Sequence, residues 1–306
     1  LRSLVGSEMC IRDSGKRGYK AQVSSPVLGT LRIDYRHLER PQVSIILRSE
    51  DNLGVLQRCL ESVLQRTRYL RYEVLIADNA SQSPQQLQWL EHLQQQGGRV
   101  RVLHSPQRLS NAALVNAASV EATGEYLVLL AADAEVVNAN WLELLLNQAQ
   151  RPEVGVVGAK LVDAGGKVSQ GGLMLGRDGR IHAAYVGLGK DEGGYLSQAL
   201  AEQNYPAVSD ACLMVRAEVF CALGGLDEGA FANAWADVDL CLKVADAGLL
   251  TVWTPQVQVV HPGLLVDNDA ALAALRSKWA GLWSSAAHGR TLKLEDAAFD
   301  WKALID

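Results

Sequence analysis

The chain has 306 residues, 48% apolar and 21% charged, and its 29 basic and 34 acidic side chains give a net charge of −5. This length allows one large domain or two ordinary ones. A slightly acidic chain without a dense basic cluster is not typical of a nucleic-acid-binding protein, so no nucleic-acid partner is expected. The apolar run Tyr126–Ala132 is far shorter than the about 20 apolar residues that cross a bilayer, and no transmembrane span is predicted.

The first 40 residues carry no regular pattern. Residues 1–14 show neither helical nor strand periodicity, and they lack the apolar core of a signal peptide. The run Ser3–Ser14 resembles a translated sequencing-adapter read-through, and residues 15–40 contain the glycine and proline that are typical of a linker. We therefore expect residues 1–40 to be a non-native leader and linker, with the native N-terminus missing.

The cysteines are odd in number and widely spaced, at Cys10, Cys59, Cys212, Cys221 and Cys241. None forms the C-x-x-C pair that indicates a zinc site or a redox-active dithiol. Most have apolar neighbours in the sequence. We therefore predict the reduced core cysteines of a cytosolic protein.

Between Gln42 and His261, strand-like runs alternate with amphipathic helices. The first helix has apolar residues on one face, and the next begins at Ser83–Pro84, an N-cap followed by proline at the first helical position. The predicted strands are Val43–Leu47, Glu73–Ala77, Val100–His104 and Tyr126–Leu130. This alternation predicts an α/β fold, with a mainly parallel sheet covered by helices on both faces.

Acidic residues stand where three of these strands end. In sheets of this kind, ligands bind beyond the carboxyl ends of the strands. There an aspartate can accept hydrogen bonds from a nucleotide base, or hold a divalent cation that bridges phosphates. Asp78 with Ser81 can equally form a local turn or helix cap, and Asp133 can be a solvated acid in a turn. The acidic segments are Arg48–Asp51, Asp78–Ser81 and Ala131–Glu135.

The glycine fingerprints of dinucleotide-binding and nucleoside-triphosphate-binding proteins are absent from the sequence, as is the H-E-x-x-H zinc motif. The segment Gly187–Gly189 followed by Gly193 has neither the spacing nor the context of G-x-G-x-x-G. A bound nucleotide would therefore be held by carboxylates and a metal ion. The same absence argues against a nicotinamide-dependent oxidoreductase.

Beyond His261, apolar residues recur at helical spacing between Leu272 and Ala286, and basic residues lie elsewhere on the helix. We expect this stripe to pack on its own domain. Contact with a membrane surface is the alternative, because tryptophan and basic residues favour lipid headgroups.

Several short motifs occur in a fixed order between residues 41 and 290. Their order and spacing resemble glycosyltransferase family 2, the inverting nucleotide-sugar enzymes of GT-A fold. Within that family the chain is similar to the rhamnosyltransferase-like group of bacterial surface-polysaccharide pathways. The motifs are Val43–Ile46, Asp78–Ser81, Asn116–Leu127, Asp133–Val136, Ala211–Arg216, Gly224–Glu228, Asp237–Lys243, Trp253–Pro255, His261 and Lys278–Trp279.

The resemblance implies a Rossmann-like, mainly parallel but mixed sheet in one main domain, residues 41–262, followed by a C-terminal helical extension, residues 263–306. It also implies a donor of the UDP- or dTDP-sugar type and an acceptor hydroxyl on a glycan or a lipid-linked glycan. The expected location is cytoplasmic, either free or peripheral on the inner face of the plasma membrane. The domain is expected to be part of a longer multidomain protein.

The resemblance also implies roles for individual residues. Asp237 corresponds to the catalytic base, and Asp133 to the last acid of the metal-binding D-x-D motif. His261 stands where some relatives have a metal ligand or a diphosphate contact. Asp133 and His261 would thus hold Mg²⁺ or Mn²⁺. The nucleotide-sugar donor would contact Ser49, Glu50, Asp78, Asn116, Asp133 and Trp235.

The residues themselves support part of this assignment. Asp237 and Asp239 point about 200° apart on a helix, so only one can face a pocket. A carboxylate at a helix start is stabilised as an anion, which predicts that Asp237 stays ionised. A simple helix cap is the alternative for Asp237, and a core position is the alternative for Trp235. His261 is predicted to follow a strand, where a structural hydrogen bond is the alternative to a ligand role.

Several residues depart from the family pattern at the site itself. Relatives usually have an acid or asparagine where this chain has Ala131 or Ala132, and again where it has Ala236. They often have an arginine at the position of Val115, and proline or threonine at that of Arg48. A cation at position 48 can offset the charge of a diphosphate. The alternative to an active transferase is therefore a catalytically degenerate domain that binds sugar or nucleotide or only supports a larger protein.

Overall fold

The computed structural model describes residues 21–25, 30–49, 52–263, 265 and 268–288. The described part contains fourteen strands, eight α-helices and a 3₁₀ segment, Tyr195–Leu200. The helices are α1 Leu53–Arg66, α2 Pro84–Gln96, α3 Asn111–Val120, α4 Trp141–Ala149, α5 Ala217–Ala222, α6 Ala236–Asp246, α7 Asp269–Lys278 and α8 Ala280–His288. Most of the predicted leader, residues 1–20, and the end of the predicted extension, residues 289–306, lie outside the described residues.

The strands form one large sheet and two small hairpins. They are β1 Gln22–Ser24, β2 Arg32–Asp34, β3 Val43–Ser49, β4 Tyr72–Asp78, β5 Val100–His104, β6 Tyr126–Leu130, β7 Glu135–Val136, β8 Val154–Val162, β9 Val168–Gln170, β10 Leu173–Leu175, β11 Ile181–Ala183, β12 Gln203–Asn204, β13 Cys212–Arg216 and β14 Leu250–Val260. The hairpins are β1–β2 and β10–β11. All four predicted strands are present.

The large sheet is mixed. Its order is β12-β14-β8-β13-β6-β3-β4-β5, with β7 beside β14 and β9 beside β8. Strands β5, β4, β3 and β6 are parallel to one another, and so are β8 and β14. Strand β13 lies between these two groups and runs antiparallel to both of its neighbours. The α/β prediction with a mainly parallel sheet is confirmed.

Alternate residues of β3 enter two different cores. Val43, Ile45 and Leu47 belong to one buried cluster, whereas Ile46 belongs to the other. Successive side chains of a strand point to opposite faces of the sheet, so each cluster fills one face. Helices α1, α2 and α4 cover the first face, and α3, α6, α7 and α8 cover the second. The site described below lies at the edge of this three-layer arrangement.

The C-terminal helices are anchored to the domain by hydrogen bonds from their tryptophans. Trp279 donates through Nε1 to Asp239 Oδ1 at 2.7 Å, and Trp283 donates to the carbonyl oxygen of Gly176 at 3.0 Å. The Nζ of Lys278 lies 2.8 Å from the same Asp239 oxygen, and the Asp239 side chain is fully buried. The predicted apolar stripe therefore packs on its own domain. Among the described helices, none is long and apolar enough to span a membrane.

The four described cysteines are free thiols. Cys59, Cys212 and Cys241 are buried, as predicted, and burial raises the pKa of each of these thiols to about 12. The prediction was wrong for Cys221, which lies near the end of the short helix α5 and is exposed.

Gly124 explains one of the sequence motifs, because it lies against the backbone of β3. Its N–H donates to Ser44 Oγ at 2.8 Å, and a Cβ at this position would lie 2.5 Å from the amide nitrogen of Ser44. We expect Gly124→Ala to lower the free energy of unfolding by about 1–3 kcal/mol, the usual cost of overpacking. Urea denaturation measures this change. The control is Gly281→Ala in α8, where a Cβ meets nothing within 4 Å. Equal losses in the two variants would contradict the prediction.

Candidate active site

The candidate site lies at one edge of the large sheet, where β3, β4 and β6 end at Ser49, Asp78 and Leu130. Strand β13 is antiparallel to β6, and its first residue, Cys212, lies opposite Leu130. The residues before β13 therefore reach the same edge as the residues that follow the parallel strands. This is the edge at which sheets of this type bind ligands.

A buried polar cluster surrounds Asp78, whose side chain is 2% exposed. Its Oδ1 accepts a hydrogen bond from Ser81 Oγ, and its Oδ2 lies 3.2 Å from Nδ1 of His104. Gln86 of α2 donates through Nε2 to Ser49 Oγ at 2.8 Å and to Ser81 Oγ at 2.7 Å. The structure therefore brings Ser49 and Asp78 together. The predicted contact Glu50 lies outside the described residues.

The Ser81 bond to Asp78 is the local turn contact that the sequence offered as an alternative to a ligand role. His104 was not among the predicted site residues. It reaches the site because the parallel register of β4 and β5 pairs it with Asp78. The sequence shows both strands, but it does not show their register.

A cavity of about 130 Å³ lies beside the first turn of α6. The liquid volume of one water molecule is about 30 Å³, so the cavity accommodates a few waters or a small part of a polar ligand. Its polar lining includes Arg48, Asn111, Asp210, Asn233, Trp235 and Asp237. Two predicted site residues, Trp235 and Asp237, thus share this cavity.

Asp237 occupies the second position of α6 and is partly buried. Its Oδ1 accepts from its neighbour Val238 N at 2.9 Å, and its Oδ2 accepts from Asp210 N at 3.2 Å. The helix cap is Trp235, so the alternative in which Asp237 is only that cap is wrong. The prediction that only one acid of the pair faces the pocket is confirmed, because Asp239 is buried against Lys278 and Trp279.

The predicted ionisation of Asp237 is wrong. Burial, reinforced by the carboxylate of Asp210, raises the pKa of Asp237 from 3.8 to about 7. Hydrogen bonds from two backbone N–H groups, and the nearby Arg48, lower the pKa by less than burial raises it. The sequence shows that Asp237 stands at a helix start. It does not show that Asp210, 27 residues earlier in the chain, lies beside it. A carboxyl with a pKa near neutrality is suited to exchange protons at physiological pH.

This raised pKa predicts how stability depends on pH. Between about pH 4 and pH 7 the folded protein binds a proton at Asp237 that the unfolded chain has released, so the free energy of unfolding falls as pH rises. Asp237→Asn has no carboxyl to titrate at this position, so it does not lose stability in this way as pH rises. We expect the variant to be more stable than the native protein at about pH 8 and about equally stable near pH 4. Urea denaturation at both pH values measures this, and a stability difference that does not change with pH would contradict it.

Arg48 and Asp210 form an ion pair across the cavity. Arg48 is the second-to-last residue of β3, and its Nη1 lies 2.5 Å from Oδ2 of Asp210, which precedes β13. Both side chains are largely buried, with 19% and 24% exposed. Arg48 stands out in the sequence as a departure from the family pattern, but Asp210 is not among the predicted site residues. Acids were expected only where strands end, whereas Asp210 stands before an antiparallel strand that begins at this edge.

Asp133 and His261 meet at a second point of the same edge. Oδ1 of Asp133 lies 3.1 Å from Nε2 of His261, which directly follows β14 as predicted. The hydrogen bond from His261 lowers the pKa of Asp133. Gly263 N donates to Nδ1 of His261 at 2.9 Å, so the proton of the neutral ring is on Nε2, which donates it to Asp133. The two predicted metal ligands are therefore adjacent in space.

This donor set is small, and its two members are hydrogen-bonded to each other. One carboxylate oxygen and one imidazole nitrogen converge, and Mg²⁺ is usually bound through one or two carboxylates together with substrate phosphates. Among the described residues, no three His, Cys, Asp or Glu side chains group as metal ligands. Binding at Nε2 would require the ring proton to move to Nδ1, where it conflicts with the N–H of Gly263. Ala131 and Ala132 offer no further carboxylate.

Trp235 and Asn116 differ in their relation to the cavity. Trp235 has the left-handed φ of 63° and lines the cavity. Its buried indole N–H has no hydrogen-bond acceptor among the described residues. The amide of Asn116 is engaged elsewhere: it donates to Leu226 O at 2.8 Å and to Glu228 Oε1 at 2.7 Å, and it accepts from Leu226 N at 2.9 Å. In this structure Asn116 holds the loop that leads to the cavity.

Comparison with known proteins identifies the family. A model of the family described as Glycosyl transferase family 2 matches residues 44–221. The protein named "Uncharacterized protein y4gI" of Sinorhizobium fredii is 39% identical over 242 residues, which cover 77% of this chain and 26% of that protein. O-antigen biosynthesis protein RfbC of Myxococcus xanthus is 36% identical over 250 residues, 80% of this chain and 19% of that protein. The chain thus spans about a quarter or less of these relatives.

Two solved structures share the fold. The structure of GalNAc-T7 with UDP, GalNAc and Mn²⁺ aligns with a TM-score of 0.65 and 17% identity, over 82% of this chain and 50% of that one. The mannosyltransferase PcManGT of Pyrobaculum calidifontis, in complex with GDP-Man and Mn²⁺, aligns with a TM-score of 0.55 and 18% identity, over 74% of this chain and 58% of that one. The chain belongs to glycosyltransferase family 2 and has the GT-A fold.

Proposed function

We propose that this glycosyltransferase moves a sugar from a UDP- or dTDP-activated donor to a hydroxyl of a glycan or lipid-linked acceptor, with inversion at the sugar C1. The observation that carries the proposal is the Asp237 carboxyl, which lines a cavity at the ligand-binding edge and has a pKa of about 7. A group of this kind can accept a proton from a hydroxyl at neutral pH.

Asp237 is the proposed general base. The acceptor oxygen attacks C1 while its proton passes to a carboxylate oxygen of Asp237, and the bond between C1 and the diphosphate oxygen breaks. The diphosphate leaves with the bonding electrons, through a transition state that resembles an oxocarbenium ion. Hydrogen bonds from Asp210 N and Val238 N orient the carboxylate before the substrate arrives. Orientation in advance reduces the entropy that must be lost in the transition state.

Asp133 and His261 are the proposed holders of Mg²⁺ or Mn²⁺. A divalent cation there would neutralise the charge that grows on the departing diphosphate. The complexes of the two structural neighbours with Mn²⁺ support this assignment. For this chain, the proposal requires His261 to release Asp133 and to present Nε2 without a proton. Both side chains remain partly accessible, Asp133 at 48% and His261 at 14%, so they can reach such an ion.

The remaining predicted contacts stay part of the proposal. The buried cluster of Ser49 and Asp78 would receive the nucleotide base, with Glu50 beside it, and Asp78 would accept a hydrogen bond from the base. The free indole N–H of Trp235 would face the sugar or diphosphate. Asn116 would act on the donor through the loop that it holds. The uracil or thymine of the proposed nucleotides carries a ring N–H that a carboxylate can bind.

The context of the domain is also a proposal. The relatives are several times longer than the matched segment, which supports a role within a longer multidomain protein. The name of the Myxococcus relative supports a place in the synthesis of a cell-surface polysaccharide. We propose that the donor is used on the cytoplasmic side, with the protein free or peripheral at the inner face of the plasma membrane.

A panel of nucleotide-sugar donors tests the proposal. Release of nucleoside diphosphate is measured with Mn²⁺ and with Mg²⁺, alongside thermal stabilisation by each donor and nucleotide. Turnover with at least one UDP- or dTDP-sugar is expected. The second candidate, a degenerate domain that only binds, is favoured by Ala131, Ala132 and Ala236, which remove acids from the site. It predicts stabilisation by nucleotide that needs no metal, with no turnover of any donor, and that pair of results would overturn the proposed activity.

A further inference from the structure

The ion pair of Arg48 and Asp210 lies in contact with the proposed base. Asp210 touches Asp237 through its main chain, since its N–H donates to Asp237 Oδ2 at 3.2 Å. Its side chain accepts a charge-assisted hydrogen bond from Nη1 of Arg48 at 2.5 Å. One residue therefore both holds the base and brings a second carboxylate beside it.

The two charges of the pair act on Asp237 in opposite directions. A carboxylate nearby disfavours a second negative charge, whereas a guanidinium favours it. Removing Asp210 alone would leave Arg48 facing Asp237, and removing Arg48 alone would leave two carboxylates side by side. Because both partners are mostly buried, water screens these effects only in part.

We propose that Arg48 and Asp210 are a positioning pair for Asp237, which fixes the orientation of the base and balances the charge around it. The inference rests on the proposed function, because it assigns Asp237 as the base. It is supported by the pKa of Asp237, which Asp210 raises and Arg48 lowers. Neither residue needs to touch the substrate for this role.

Among the residues that the structure describes, few other charges surround Asp237. On its own helix, Asp239 faces Lys278 and Trp279 on the other side, and the thiol of Cys241 is buried one turn further along. From β3 and from the segment before β13, Arg48 and Asp210 are the charged residues that line the cavity with Asp237. Within the described part of the chain, the pair is therefore the main source of charge beside this carboxyl.

The test compares the pH dependence of kcat in three variants. Asp210→Asn keeps the main-chain hydrogen bond and removes the charge, so the acidic limb of the profile should move down by about 1 pH unit. Arg48→Met should move it up by a similar amount, and Arg48→Lys should leave it close to that of the native protein. Asp178→Asn, which breaks the remote pair with His182, is the matched control and should not move the limb. A fall in kcat at every pH with no opposite shifts would overturn the inference.

A second readout separates failure of this inference from failure of the proposed function. The carboxyl carbon of Asp237 is assigned by NMR from the signal that disappears in Asp237→Asn, and it is titrated in each variant. Opposite shifts of this titration without turnover on any donor would support the pair and overturn the proposed activity. Unchanged titrations would overturn the pair whether or not the enzyme is active. If Asp210→Asn does not fold, the inference is tested by Arg48→Met alone, in which the titration of Asp237 should move to higher pH.

Discussion

Replacing Asp237 with asparagine is expected to lower kcat by about 100- to 10,000-fold, the usual contribution of a general base. The amide keeps the size of the side chain, and its one oxygen can accept one of the two hydrogen bonds that Asp210 N and Val238 N donate to the carboxylate. It cannot take up the proton of the acceptor hydroxyl. Release of nucleoside diphosphate in the presence of the acceptor measures the loss, and donor binding should change little.

The matched control for this prediction is Asp246→Asn, which removes an exposed carboxylate from the last position of the same helix. Its kcat should stay close to that of the native protein. Urea denaturation of Asp237→Asn at the pH of the assay shows whether the variant is folded, so that loss of activity in a folded variant is assigned to the missing base. A kcat within a few-fold of the native value in Asp237→Asn would rule out the general-base role.

Replacing Asp133 with alanine is expected to weaken the binding of Mn²⁺ by at least about 10-fold, since even indirect partners of metal ligands are worth that much. The variant loses one of the two proposed protein donors and leaves His261 without its carboxylate. Thermal shift with Mn²⁺ in the presence of UDP measures the effect. His261→Ala should weaken binding in the same way.

The control for Asp133 is Glu135→Gln. Glu135 is two residues away and is paired with Arg58 at the surface, so its loss should not alter the response to metal. Equal metal dependence in the native protein and in Asp133→Ala would contradict the proposed metal site. If the thermal shift with nucleotide is the same with and without metal in all of these variants, the result favours the degenerate domain instead.

The elements of the fold followed from local patterns, because buried strands and amphipathic helices carry their periodicity in the sequence. Val43–Ser49 alternates between two cores, and the residues that show this alternation are neighbours in the chain. The mixed character of the sheet was expected only from the resemblance. The direction of β13 depends on pairing with β6, which is more than 80 residues earlier, and no local pattern encodes that pairing.

The candidate site was only partly predictable for the same reason. Asp237, Asp133 and His261 stand out at the ends of elements, and the structure places the last two in contact. Asp210 and His104 were missed because their importance comes from neighbours brought close by strand pairing. The ionisation of Asp237 was predicted in the wrong direction because burial is a property of the folded molecule.

The anchor at Asp239 bears on how this domain can be cut or recombined. The matched family segment ends at residue 221, yet Asp237, His261 and the lysine that neutralises Asp239 all come later in the chain. A fragment that ends before Lys278 would leave the Asp239 carboxylate inside an apolar core, where Lys243, at 3.3 Å, is the one remaining cation paired with it among the described residues. Removing one partner of a buried pair is strongly destabilising. Transplants of this catalytic unit into other proteins should therefore keep helices α7 and α8 together with the sheet.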